Sequence, residues 1–208
     1  YARMGRTDWD AEDARVYRQQ ILDSVVPLVQ KFRKEQSRRI GIPDMKFYDN
    51  NLVYLSGNPK PQGEEDYLVA HAGKMYKELS SETDAFFQEM VDGELMDLTT
   101  KPGKAAGGYM TFLPDYKVPF IFSNFNGTSG DVDVLTHEAG HAFQGYLQRD
   151  VELMDLAQYT SEVAEIHSMS MEFFTHPWME GFFGPDTEKY YHSHVVDALS
   201  FLPYGASI

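Results

Sequence analysis

The sequence predicts a mainly α domain with a small β-hairpin beside one functional helix. Two observations lead there. Apolar residues recur at three- and four-residue intervals through most of the chain, as in Val16, Ile21, Val25, Leu28, Val29 and Phe32, the period of a helix with one buried face. Short, aromatic, β-prone runs stand out between residues 108 and 124, on either side of a turn.

The first helix is expected over residues 8–39, with Asp8 or Asp10 as its cap and Gly41 and Pro43 beyond its end. Pro27 lies inside it and should kink it or start a new helix. Lys31, Arg33, Lys34, Arg38 and Arg39 read as a solvated, dipole-compatible C-terminal end. Residues 44–63 are rich in turn formers and read as irregular. A second helix runs from Glu64 to about Leu79, carrying Tyr67, Leu68, Ala72, Met75 and Tyr76 on its apolar side, with His71 in a structural or exposed role. Ser81-Glu82-Thr83-Asp84 resembles a capping box for a third helix that reaches about Val91 before Gly93. Gly103, Gly107 and Gly108 bracket a loop, followed by strands at Gly108–Phe112 and Pro119–Asn124 with a turn at 113–117. Asp131 is placed to cap the next helix, about Val132–Leu147. A further helix spans Ser161–Phe174 and stops at Pro177. Trp178–Phe183 reads as a loop, and a last helix covers Asp186–Leu202. His192 and His194 there are two apart, share no face, and suggest no second metal site.

The totals narrow the function. Of 208 residues, 42% are hydrophobic and 14% aromatic, enough for a sizeable core in one large domain or two small ones. Acids outnumber bases 32 to 18, for a net charge of −14, which argues against nucleic acid and anionic membrane partners and leaves room for neutral or cationic peptides. No cysteine is present. Disulfides and thiolate ligands are therefore impossible, any zinc site must use His and carboxylate, and a cytoplasmic location is expected. No apolar run approaches the length of a membrane span, and no signal peptide opens the chain. The chain begins at Tyr1 and stops at Ile208 within an apolar phrase, so it reads as part of a single catalytic domain truncated at both ends.

The chemistry concentrates in Thr136-His137-Glu138-Ala139-Gly140-His141. Histidines four apart share a helix face and offer two imidazoles to a divalent metal. Glu138, next to the first, can reach an activated water without binding the metal and act as general base. Leu135, Ala139, Ala142 and Tyr146 form the opposite, core-facing stripe. Asp133 fits a capping role at the helix start. A third ligand should come from the helix at 161–174, where Glu162, Glu165 and Glu172 share one face beside an apolar run; unpaired carboxylates there would be costly. Chemistry alone leaves Glu162 and Glu165 open. His167 is a third possibility, but its side chain is expected to point elsewhere on that helix.

The run Asp133–Gln144, followed by Glu165-Ile166-His167-Ser168-Met169-Ser170-Met171-Glu172, resembles the oligoendopeptidase F branch of the thimet oligopeptidase family of zinc metallopeptidases. The phrases Arg3–Asp8, Gly107-Gly108-Tyr109 and Pro119–Phe125 are similar to that branch as well, so the resemblance covers nearly the whole chain. It implies a zincin-like helical catalytic domain that hydrolyses short oligopeptides with one zinc ion per chain. It implies His137, His141 and Glu165 as ligands, Glu138 as general base, and Glu172 as the carboxylate that orients a ligating histidine. Glu162 is then a helix-start carboxylate. An oligopeptide would lie extended along the strand edge at Gly107–Phe112 or Pro119–Phe125, with Gly107, Gly108, Tyr109 and Asn124 as binding residues. In the family, His and Tyr residues C-terminal to the zinc site assist the oxyanion, and the chain stops before them. The isolated piece is therefore expected to bind zinc but to be weakly active or inactive. The alternatives are a vestigial helical peptide-binding module and a zinc hydrolase of non-peptide substrates.

Overall fold

The long first helix forms, but Pro27 interrupts its hydrogen-bond ladder. Helix α1 (Ala11–Gln20) is capped by Asp10, whose carboxylate accepts from the Glu12 and Asp13 amides while the Asp13 carboxylate accepts from the Asp10 amide. A π-helical turn, Ile21–Val25, then leads into α2 (Val26–Ile40), and the Val26 amide reaches five residues back to the Ile21 carbonyl. Pro27 has no N–H to offer the carbonyl four residues back, at Asp23, and the widened turn accommodates that gap without ending the helix. Gly41 closes α2 in the left-handed conformation. The computed structural model describes residues 1–157 and 159–207; Gln158 and Ile208 lie outside it, as do the side chains of Met4, Met154, Ser161, Glu162, Ala206 and Ser207. The expected helix-start role of Glu162 therefore falls outside the described residues.

The chain divides into two units, one of residues 1–58 with 188–208 and the other of residues 59–187. In the first, the irregular segment after α2 is held by α2 itself. The buried Gln36 amide donates to the Asn50 and Leu52 carbonyls. Arg33 donates to the Asn50 carbonyl and Arg39 to that of Val53, with the Arg39 guanidinium over the Tyr54 ring. Two members of the expected solvated cluster are thus anchors: a loop without its own ladder needs donors for its carbonyls. The last helix, α8, runs Thr187–Ser207, and His194 stacks on Tyr190 within it.

The second unit carries helices α3 (Glu65–Leu79), α4 (Ser81–Asp92), α5 (Gly130–Leu147), α6 (Ser161–Phe174) and the short α7 (Met179–Phe183), with strands β1 (Met96–Thr99), β2 (Tyr109–Leu113) and β3 (Val118–Phe125). Ser80, not Ser81, separates α3 from α4, and its hydroxyl accepts from the Thr83 amide; Ser80 is the extended residue, so it takes the cap. The stretch expected as a loop at 178–183 is largely α7, because burial of Met179, Phe182 and Phe183 orders it. His71 stacks on Tyr67 and serves a structural role.

The hairpin forms between β2 and β3 in antiparallel register, Tyr109 opposite Phe122 through Leu113 opposite Val118. A third strand, β1, adds parallel to the other side of β3, giving the order β1-β3-β2. Of its four residues only Leu98 is fully buried, so no local pattern marked it; long-range pairing makes it a strand. Helix α5 packs on this sheet and against α6. Near its C-terminal half it meets α4 through an aromatic cluster: Phe86 lies 5.4 Å from Phe143 and 5.5 Å from Tyr146, and Phe86 and Tyr76 are fully buried. Phe86→Ala should cost about 3–5 kcal/mol in denaturant unfolding. A loss under about 1 kcal/mol would show that this cluster does not hold α5 against α4.

Candidate active site

Helix α5 (Gly130–Leu147) begins two residues earlier than the sequence suggested. Its N-cap is Ser129, with no side-chain cap bond. Asp131 is buried in the first turn, and its carboxylate accepts the amides of Asn126 and Gly127 at 2.9 and 2.7 Å. It therefore fastens the preceding loop instead of capping the helix, because the glycine-rich turn at 126–130 exposes amides that need an acceptor. Asp133 also lies in the first turn.

Gly140 sets the distance between α5 and α6. A Cβ there would stand 2.6 Å from the Ser168 Cα, 2.8 Å from the His167 carbonyl oxygen and 3.0 Å from the Met171 Cβ. Two of these contacts are backbone, so no side-chain rotation could relieve them. This approach puts the acidic face of α6 over the two histidines of α5.

His137 Nε2 lies 3.1 Å and His141 Nε2 3.6 Å from the same oxygen, Glu165 Oε2. The two rings are nearly perpendicular, 4.9 Å apart. Ligand atoms of His137, His141 and Glu165 all lie within 4.8 Å of one another, and this is the one such group among the described residues. Donors about 2.0–2.2 Å from a tetrahedral zinc stand roughly 3.3–3.6 Å apart, so this donor set fits such an ion. The Ser168 hydroxyl donates to Glu165 Oε2 at 2.8 Å. Glu172 Oε1 stands 2.6 Å from His137 Nδ1, on the side of the ring away from Glu165.

Electrostatics follow from burial and these contacts. Burial opposes a charged His137, but the Glu172 hydrogen bond and the charges of Glu172, Glu138 and Glu165 outweigh it and raise the His137 pKa above its ordinary value. Burial, reinforced by the His137 ring, pushes His141 down. Glu138 is 7% exposed, and burial lifts its carboxyl above the usual carboxylate range. The His137 ring opposes that shift, Glu165 adds to it, and the Met110 amide of β2 pulls it back. A carboxyl raised this way takes up a proton more readily than an exposed one.

The four residues expected to meet substrate stand at the start of β2 and beside it. Gly107 is held at φ 100°, a conformation other residues adopt rarely, and a Cβ there would meet nothing within 4 Å. Gly108 packs closely: a Cβ would come 3.2 Å from Val134 Cγ1. Tyr109 is half exposed and stacks on Phe122. The Asn124 amide donates to the Ala105 and Gly107 carbonyls, both at 2.8 Å, so it braces this loop and has no amide hydrogen left to offer a ligand there. Of the two strand edges expected for peptide pairing, β3 is unsuited. It is the central strand, paired on both sides. Among the described residues only β2 keeps an unpaired edge on this side of the sheet.

His167 does not point away from the site, as its helix position suggested. Its Nε2 lies 3.1 Å from His141 Nδ1. The α5–α6 approach at Gly140 brings it into reach, a distance no spacing within α6 could signal.

The sequence profile described as peptidase family M3 matches residues 61–200. The chain belongs to peptidase family M3. It is 58% identical to a protein of Bacillus anthracis str. Ames assigned as an oligoendopeptidase F, with a TM-score of 0.97 over all of this chain and 38% of that one. It is 54% identical to PZ peptidase A, solved with an inhibitor, with a TM-score of 0.96 over 99% of this chain and 37% of that one. An oligoendopeptidase F homolog of Lactococcus lactis subsp. lactis (strain IL1403) is 28% identical over 152 residues, 71% of this chain and 24% of that protein. The chain thus spans about a quarter of the length of the curated relatives it matches. The mainly α fold with a three-stranded sheet is shared with these structures. No helix among the described residues is long and apolar enough to cross a membrane.

In this M3 chain Gly140→Ala forces α6 backbone to move. The substitution should destabilise the fold by about 1–3 kcal/mol and weaken any metal binding at the His137, His141 and Glu165 group in the surviving folded protein. Unchanged thermal stability and unchanged metal affinity would show that the helix contact is not as tight as described.

Proposed function

We propose that this chain carries the zinc centre of a metallo-endopeptidase that hydrolyses short oligopeptides. The observation that carries the reading is the convergence of His137, His141 and Glu165 on a common point, with a buried Glu138 beside them, in a member of family M3. His137 and His141 would present Nε2, and Glu165 the oxygen that accepts from Ser168. Glu172 would hold His137 through its Nδ1–H and so keep Nε2 free for coordination. Zinc, one per chain, would supply Lewis-acid polarisation of the scissile carbonyl and acidify a water. Glu138, with its raised pKa, takes the proton from the attacking water and passes it to the leaving amine.

The peptide is proposed to pair with the free edge of β2, where the Met110 amide already faces Glu138. Gly107 supplies the turn into that edge, Gly108 its close seat on α5, and Tyr109 an exposed ring. Asn124 enters as a brace of the loop. All donors of the centre lie in residues 59–187; that this unit and the other belong to one catalytic domain is part of the proposal, as is a cytoplasmic location, which the lack of cysteine supports.

The chain should bind one equivalent of zinc, and His137→Ala, His141→Ala or Glu165→Ala should each abolish tight binding by metal analysis after dialysis. A vestigial module would retain no metal. In the protein as expressed from its gene, Glu138→Gln should keep zinc yet lower cleavage of a quenched oligopeptide about 10²–10⁴-fold. Cleavage at the parent rate would remove Glu138 from the role of base. Parent protein that holds zinc but cleaves no peptide would favour a non-peptide substrate.

A further inference from the structure

His167 is the imidazole near the centre to which the reading above gives no part. Its Nε2 lies 3.1 Å from His141 Nδ1, and the rings are nearly perpendicular. It is not a member of the donor group of His137, His141 and Glu165. Its contact is with the nitrogen of His141 opposite the one that stands 3.6 Å from Glu165. The Tyr159 and His167 rings meet in a T-shaped arrangement, with centroids 5.4 Å apart.

We propose that His167 is a positioning residue, a neutral hydrogen-bond acceptor that holds His141 in its Nδ1–H form and leaves the Nε2 lone pair for the metal. A hydrogen bond between two neutral imidazoles needs one donor and one acceptor. Were His141 the acceptor, its own proton would sit on Nε2 and that nitrogen could not ligate. Donation from His141 Nδ1 to His167 Nε2 is the arrangement compatible with coordination, and it places the His167 proton on its own Nδ1.

The two ligating histidines are then oriented by different acceptors, a carboxylate for His137 and an imidazole for His141. The difference has an electrostatic reason. Glu138, Glu165 and Glu172 already crowd the two rings, and a fourth carboxylate behind His141 would repel them. A neutral acceptor fixes the ring without adding charge. This role rests on the metal reading above.

Zinc dissociation constants measured by chelator competition on this chain test it, comparing the parent with His167→Leu, His167→Ala and His167→Gln. Leu and Ala remove the acceptor and should weaken zinc binding about 10–100-fold. Gln can place its amide oxygen near the lost Nε2 and should restore affinity to within about threefold of the parent. Should Leu disturb folding, the smaller Ala and the isosteric Gln still carry the comparison, with the unfolding midpoints of the zinc-free proteins as control. Equal affinity in parent, Leu and Ala would overturn the role of His167 while leaving the metal centre intact. Gln as weak as Leu would overturn it too, since an acceptor would then not be what matters. A parent that binds no zinc would remove the metal reading itself.

Discussion

The absence of a side chain at Gly140 is the constraint on which the site depends. A Cβ at that position would run into the Ser168 Cα and the His167 carbonyl, so only glycine lets α5 and α6 meet backbone to backbone. The proposed metal donors come from both helices, two from α5 and one from α6, and their spacing follows from how closely the helices approach. Ser168 stands at the same contact and donates to Glu165. The packing contact that fixes the distance between helices therefore also aims the carboxylate. Rigid elements and a supported ligand are what a metal centre needs, since a shift of half an ångström in a donor is enough to spoil coordination.

The edge of β2 is positioned by a separate set of interactions. Lys104 has a buried side chain whose ammonium donates to the Asp97 and Thr99 carbonyls at 2.9 Å and pairs with the Asp97 carboxylate at 3.1 Å. It also lies over the Phe122 ring. All three of its N–H donors have partners, which is what makes a buried ammonium tolerable. With Asn124 bracing Ala105 and Gly107, the loop into β2 is tied to both of the other strands. The Met110 amide then faces Glu138, so the strand edge and the proposed base are held in one frame.

Charge ties the two halves of the centre together. Three carboxylates surround two half-buried imidazoles, with Glu138 buried and Glu165 exposed, and both His137 and Glu138 are shifted toward their protonated forms. Each shift lowers the negative charge that the cluster would otherwise carry without a cation. A divalent ion would relieve the same repulsion. Neutral His167 behind His141 fits this balance, as it orients a ring while leaving the charge unchanged.

Much of this was legible in the sequence. Helical periodicity set the elements of both units, because burial of one face leaves a period that needs no tertiary knowledge to read. His137, Glu138 and His141 were identifiable from spacing, since residues four apart on a helix must share a face. Glu165 was one of two candidates by chemistry, chosen by resemblance, and the structure brings it to the histidines. What stayed hidden depended on groups far apart in the chain. Strand β1 exists only through its pairing with β3. Asp131 binds amides of the loop before it and not those of its own helix end. Arg33 and Arg39 serve a loop rather than solvent. His167, a half-turn from Glu165 on α6, reaches His141 only because Gly140 lets the two helices touch. The sequence by itself determined which side chains could carry the chemistry and on which helices they ride. The tertiary structure decided which of them meet, because close approach of two backbones is a property of the pair and leaves no period in either segment.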